Sequence, residues 1–443
     1  MFNTEIRPSS AIEKSLFQDP IGNCSINQSQ EKGFKDQVEA VHDDGVPDGG
    51  PTAWLQVLGS FSLFFNTWGM INTFGVFQTF YENELLSGNS PSAISWIGSL
   101  QSFFLLFVGV VSGPLYDAGY LRLLLMCGVV FVTTGMMATS FCGSYCQVML
   151  AQGVCVGIGT GFLYIPSVAI IPQYFYRRKA LAMGIVTSGS SLGGVLYPLI
   201  FQGLQPRVGF AWATRAMGFI SLATMSIALL TLRRRVPATQ IRSLLDLQAF
   251  RERPYVLYCC GICLSFVAFY APVFYLQPYA LTHGMANQPV SLYLIAILNA
   301  ASIPGRLSPS FLARKIGPIH TLALSVSLTT ITTFSWISVH STPSILLFTI
   351  FFGFFSGGIV ALPAVVLTSF TTDLSRLGTR LGMSSVLNAV GSLVGAPIGG
   401  AILGASGSYL GLQLYAGFVT FGTAVFLLAL RVAIVGWKLK AKA

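Results

Sequence analysis

The sequence predicts an all-α membrane protein, with twelve transmembrane helices arranged as two six-helix bundles. Three observations carry that expectation: a composition too poor in charge for a water-facing surface, basic residues gathered in alternate loops, and a weak repeat between the two halves. Hydrophobic residues make up 53% of the 443 and charged residues only 9%, whereas a soluble domain carries roughly 25% charged residues. Apolar runs of about 20 residues, the length that crosses a bilayer core, follow one another almost back to back. Lipid is the solvent that fits.

The spans read as 54–80, 93–116, 122–141, 146–172, 180–204 and 209–232, then 255–279, 288–312, 319–339, 344–368, 379–404 and 410–434. Several contain proline (Pro166, Pro198, Pro272, Pro304, Pro363, Pro397). Membrane helices tolerate it, because neighbouring helices and waters satisfy the freed carbonyls. Basic residues follow the even-numbered spans: Arg122; Arg177, Arg178 and Lys179; Arg233 to Arg235 with Arg242, Arg251 and Arg253; Arg314 and Lys315; Arg376 and Arg380; Lys438, Lys440 and Lys442. The opposite loops hold only Arg207, with Glu82, Glu84, His283 and His340. By the positive-inside rule both termini are cytosolic, which demands an even number of spans.

The net charge of +10 does not signal a nucleic-acid partner. Nine of the 15 acids precede Trp54, and the bases beyond it sit in short clusters between spans rather than along one surface. Residues 1–50, polar and acidic, read as a disordered cytosolic tail without a cleavable signal peptide. Its two glycosylation patterns, at Asn23 and Asn27, are expected to stay unmodified there. The bundles are expected at 51–232 and 255–436, with a cytosolic linker at 233–254 and a short basic tail at 437–443. The eight cysteines lie mostly in or beside apolar runs, and the pair Cys260 and Cys263 has neither a second pair nor a histidine cluster beside it. They read as small buried hydrophobes, and no metal or cofactor is expected.

The halves echo each other. Gly113 and Gly305 stand 192 residues apart, while Gly184 with Gly382 and Gly193 with Gly391 share an offset of 198. Parallel six-helix repeats build carriers whose two bundles rock about a central site, and glycine lets helices approach and slide. Ordinary glycine usage in membrane helices is the competing reading.

Three stretches resemble a known group. Asp48-Gly49-Gly50 leading to Trp54, the run from Gly113 through Asp117 to Arg122, and the run from Tyr174 through Arg178 to Gly184, Gly189 and Gly193 are similar to motifs of the major facilitator superfamily, more narrowly its monocarboxylate porter family in its fungal branch. The likeness covers essentially everything after residue 47. It implies the major facilitator fold, alternating access, and as solutes monocarboxylates, riboflavin-like compounds or secondary metabolites. It also marks departures. Arg314 stands where relatives usually place an aspartate. Asn72 and Ser302 occupy the positions of the lysine and the acid that proton-coupled relatives use, while the arginine, Arg306, is kept.

The chemistry that remains is sparse. The six acids beyond Trp54 (Glu82, Glu84, Asp117, Asp246, Glu252 and Asp373) fall in loops or at span ends, so no carboxylate is placed deep in the bilayer to carry protons. Transport is therefore expected to be uncoupled, or coupled without a buried Asp or Glu. Arg306 is the foremost candidate for solute contact. A guanidinium inside a span costs about 2.5–3.5 kcal/mol on insertion scales, so it faces a cavity or a partner, and its planar fork suits a carboxylate; snorkelling to the cytosolic end is the alternative. Asn66 and Asn72 in the first span, Tyr164 in the fourth, Ser188 in the fifth, Tyr270, Tyr275 and Gln277 in the seventh, Asn299 in the eighth and Asn388 in the eleventh complete a candidate cavity. Interhelical hydrogen bonding is the other reading of each. Asp117, Arg122, Gly113, Gly184 and Gly193 are candidate gating positions, and Arg215 reads as an interface anchor.

The expected protein is thus a multi-pass carrier, monomeric in lipid, moving a small and anionic organic solute, with the plasma membrane implied by the resemblance. Export of a biosynthetic product, proton-coupled monocarboxylate uptake, and a solute sensor on a carrier scaffold stay open. An enzyme and an ATP-driven pump do not fit, for want of a nucleophile constellation and of a phosphate-binding glycine–lysine motif.

Overall fold

The apolar runs become helices because a backbone in lipid must satisfy its own hydrogen bonds. The computed structural model describes residues 48–176, 178–235, 246–285, 288–371 and 377–436. Most of the tail at 1–50, the middle of the linker, Arg177, Asp373, Arg376 and the tail at 437–443 lie outside the described residues. Those described contain helices and no strand. Nine helices among them are long and apolar enough to cross a membrane. One of the nine, Leu181–Thr231, is two spans in length and breaks at Gly209, whose φ of 78° is left-handed. The first span is interrupted, as Pro51–Asn66, Trp68–Asn72 and Phe74–Phe80, and the eighth runs as Gln288–Ile316. With these the helices follow the twelve expected segments in order.

Local chemistry sets the ends. Proline occupies the first turn at Pro51, Pro91, Pro318 and Pro363, where its missing N–H costs nothing. Ser90, Ser341 and Ser408 cap helix starts with their side chains. Span 9, Pro318–Ser335, holds Thr329, Thr330, Thr332 and Thr333, whose hydroxyls all donate back to carbonyls four residues earlier. All four are buried, and folding onto their own helix satisfies their hydroxyls inside the bundle.

The repeat is physical at an offset of 198. Gly193 of span 5 packs on the Phe65 carbonyl of span 1, and a Cβ there would collide with it. Gly391 of span 11 packs on the Cys263 carbonyl of span 7, where a Cβ would stand 2.6 Å away. Phe65 and Cys263 are themselves 198 apart. The pair at offset 192 behaves differently: Gly305 lies against the Phe354 carbonyl, whereas a Cβ on Gly113 meets open space, so Gly113 marks no close helix crossing.

At the end bearing the basic loops, two acids act as clasps. Asp48, itself in left-handed geometry (φ 48°), accepts the backbone N–H groups of Tyr176 and Arg178, each at 3.0 Å. Trp54 sits edge-on to Phe175 at 5.3 Å. Two stretches far apart in sequence are therefore one structural unit. In the second half Asp246 and Glu252 pair with Arg380, at 3.3 and 2.8 Å, in the first turn of span 11. Asp246 stands 198 residues after Asp48.

Candidate functional site

Spans 5 and 8 meet along the boundary between the bundles, as do spans 2 and 11. Where 5 meets 8, small polar residues of one face the polar face of the other. Ser191 and Ser302 share a hydrogen bond of 2.7 Å. Arg306, 2% exposed, sends Nη1 to the Thr187 carbonyl at 2.6 Å and to the Ser190 hydroxyl. The guanidinium thus bridges the bundles and does not snorkel. Its Nε has no partner among the described residues.

Beside this bridge lies a cavity of about 10 Å³, the room of a single water. Asn72 of span 1, Phe269 and Val273 of span 7, Asn299, Ser302 and Arg306 of span 8 and Gly357 of span 10 line it. Of the positions singled out from sequence, the structure brings together Arg306, Asn72 and Asn299, with Ser302. Pockets that take a drug-sized ligand measure roughly 300–1,000 Å³, so a ring-bearing solute fits only when the bundles move apart.

Other expected residues lie elsewhere. Asn66 is spent inside the first bundle: it donates to the Ser62 carbonyl and to Thr224 Oγ1, and accepts from Tyr197 at 2.6 Å. Tyr164 packs edge-on against Phe64 and Trp68. Tyr275 is not at the cavity. Its hydroxyl donates to the carbonyls of Pro91 and Ala396 at the end opposite the basic loops, where Ser92 also bonds the Pro397 carbonyl at 2.9 Å. These contacts seal that end. Tyr270, buried beside Phe269, and Asn388 on span 11 carry a hydroxyl and an amide oxygen with no partner among the described residues. Sequence reading missed the apolar lining and the span-5 trio Thr187, Ser190 and Ser191; a run of small polar residues one helical turn from Gly193 was the available signal.

The gating candidates separate too. Gly184 faces the other bundle, with Leu307 3.0 Å from where a Cβ would stand, while Gly193 belongs to packing within the first bundle. Arg234 donates to the carbonyls of Tyr116 and Asp117, at 2.6 and 2.9 Å, and its guanidinium lies over the Tyr116 ring. Arg122 is exposed on the same loop. Arg215 stacks between Phe141 and Trp212 and bonds Ser140, as an anchor would.

Beyond span 1, in the turn Tyr81–Leu85, Glu82 accepts from Gln78, which also bonds the Pro91 carbonyl. Burial pushes the Glu82 carboxyl up from 4.5 to about 7, and the Gln78 hydrogen bond pulls only partly the other way.

Comparisons agree with this architecture. Residues 57–343 match the profile of the Major Facilitator Superfamily. The MFS-type transporter dbaD of Emericella nidulans is 40% identical over 387 residues, 87% of each chain. The aspyridones efflux protein apdF of the same organism is 38% identical over 392 residues, 88% of this chain and 80% of its own. The MFS-type transporter pynF of Aspergillus niger is 37% identical over 386 residues, 86% of each chain. With helical bundles closed around a polar cavity and relatives matched over most of their length, this chain belongs to the major facilitator superfamily and is a multi-pass membrane transporter of small organic solutes.

Proposed function

We propose that the solute is an organic acid, a secondary metabolite with a carboxylate or comparably acidic group, and that net flux is export. One observation carries the reading: a buried arginine lines the central cavity, bridges both bundles and keeps its Nε unpartnered among the described residues. A guanidinium offers an acid paired, charge-assisted hydrogen bonds. Binding there would compete with the bond to Thr187, so the same group that holds the solute also loosens the bundle contact. Export is supported by a relative's name, the aspyridones efflux protein.

The finer placement rests on the motifs and the charge pattern: the monocarboxylate porter branch, a monomer in the lipid of the plasma membrane, both termini cytosolic. Coupling through a buried acid finds no support, because Asn72 and Ser302 line the cavity and, among the described residues, no carboxylate does. The test is untargeted comparison of metabolites inside and outside cells, with the gene deleted, restored, or restored as Arg306→Ala. An acidic compound retained in both the deletion and the Arg306→Ala cells is the expected result. No retained compound, with the protein present in the membrane, would overturn export and favour uptake or sensing.

A further inference from the structure

Span 8 carries a polar stripe that extends beyond the central cavity. Ser302, Arg306, Ser310 and Arg314 recur every four residues and so share one helix face. The stripe covers about 18 Å of helix. Its inner half, Ser302 and Arg306, lines the central cavity. Its outer half, Ser310 and Arg314, lines a separate shallow crevice together with Leu307, Phe311 and Leu181 of span 5.

Three properties of the crevice point to one occupant. Phe311 is 55% exposed and Arg314 is exposed beside it, so the crevice is reached from the membrane leaflet at the basic end. No acid among the described residues pairs with Arg314, and Lys315 adds a second cation, so the rim attracts an anion. The crevice also lies along the same helix face as the central cavity. Next to it the Leu307 side chain stands against Gly184, and Arg306 bonds the Thr187 carbonyl.

We propose that this crevice is a loading subsite for the transported solute, an amphipathic organic anion drawn from the adjoining leaflet. Its acid docks on Arg314 and its apolar body lies against Leu181, Leu307 and Phe311. Passage to Arg306 then requires Leu307 to leave Gly184. This rests on the reading of the solute as an acid and adds where it enters.

The test uses the full chain in phosphatidylcholine vesicles and a photoreactive fatty acid as probe, with the matching fatty alcohol as its uncharged control. Labelled residues are located by mass spectrometry. The acid is expected to label residues 307–314 and Leu181 roughly tenfold more than the alcohol, the worth of one charge-assisted hydrogen bond. Arg314→Gln should remove that preference. Arg306→Ala should leave crevice labelling intact and reduce labelling of the cavity, which separates this subsite from the central one. Gly184→Leu, or Gly184→Val where the former does not fold, should keep the crevice labelled and leave the cavity unlabelled. Equal labelling by acid and alcohol overturns the proposal, as does an Arg314→Gln protein labelled like the parent. So does loss of label when phosphatidylserine is added but not when a soluble amphipathic carboxylate is, which would make the occupant an anionic lipid.

Discussion

Tyr270 separates a binding role from a structural one at the level of a single atom. A buried hydroxyl without a partner costs about 1–3 kcal/mol, so Tyr270→Phe is expected to keep or raise the thermal unfolding temperature of the purified protein. If the hydroxyl serves solute, flux measured alongside should show a raised KM. A fall in unfolding temperature would mean that the hydroxyl is already bonded in the folded chain. Replacing Arg306 by Lys should lower flux, since Lys keeps the charge and loses the planar fork, and replacing it by Gln should lower flux further; full flux in the Lys variant would sink the fork argument, and equal losses would sink the role of charge. Arg306 was legible in the sequence because charge inside a span is costly and therefore informative. Asn66 and Asn72 were not separable, because an asparagine that glues helices and one that lines a cavity look alike until neighbours such as Tyr197 and Thr224 are placed. Phe269 and Val273 could not be read at all, since an apolar wall has the composition of any core.

Among the elements, glycine divides the crossings that bear load from those that do not. Gly193→Ala pushes a methyl group into the Phe65 carbonyl, a backbone atom that cannot swing aside. A loss of about 1–3 kcal/mol is expected, the usual range for overpacking. Gly113→Ala, with open space around it in a helix interior, should gain about 0.5–1 kcal/mol instead. Unfolding of the two variants side by side decides, and equal destabilisation would refute the distinction. The sealed end opposite the basic loops should answer to pH through Glu82. Its carboxyl is held up by burial, so the folded form binds more protons than the unfolded one between 4.5 and about 7. Stability should fall as pH rises through that window and stay level on either side of it. Glu82→Gln should flatten this part of the unfolding profile; an unchanged slope would assign the dependence to another group.

At the scale of the whole molecule, the plan of spans was legible because hydropathy and loop charge report the same thing by independent routes. Segment boundaries agree with the helices to within a few residues, and the non-helical backbone at Gly209 separates spans 5 and 6. The clasps were harder to see. Asp48 read as part of a motif and Asp246 as one charge in a basic linker; only the folded chain shows each acid reaching the start of the fifth span of its own half. Asp48 reaches the loop before span 5, and Asp246 reaches Arg380 in the first turn of span 11. The chain from Asp246 onward therefore carries its own opening, as the chain from Asp48 does. A gene cut between the codons for Arg235 and Asp246 would yield two polypeptides, each beginning or continuing with its own acid and its own six spans. Expressed together, such fragments are expected to find each other in the membrane and restore flux, whereas a cut after Glu252 would strand the second clasp on the wrong piece.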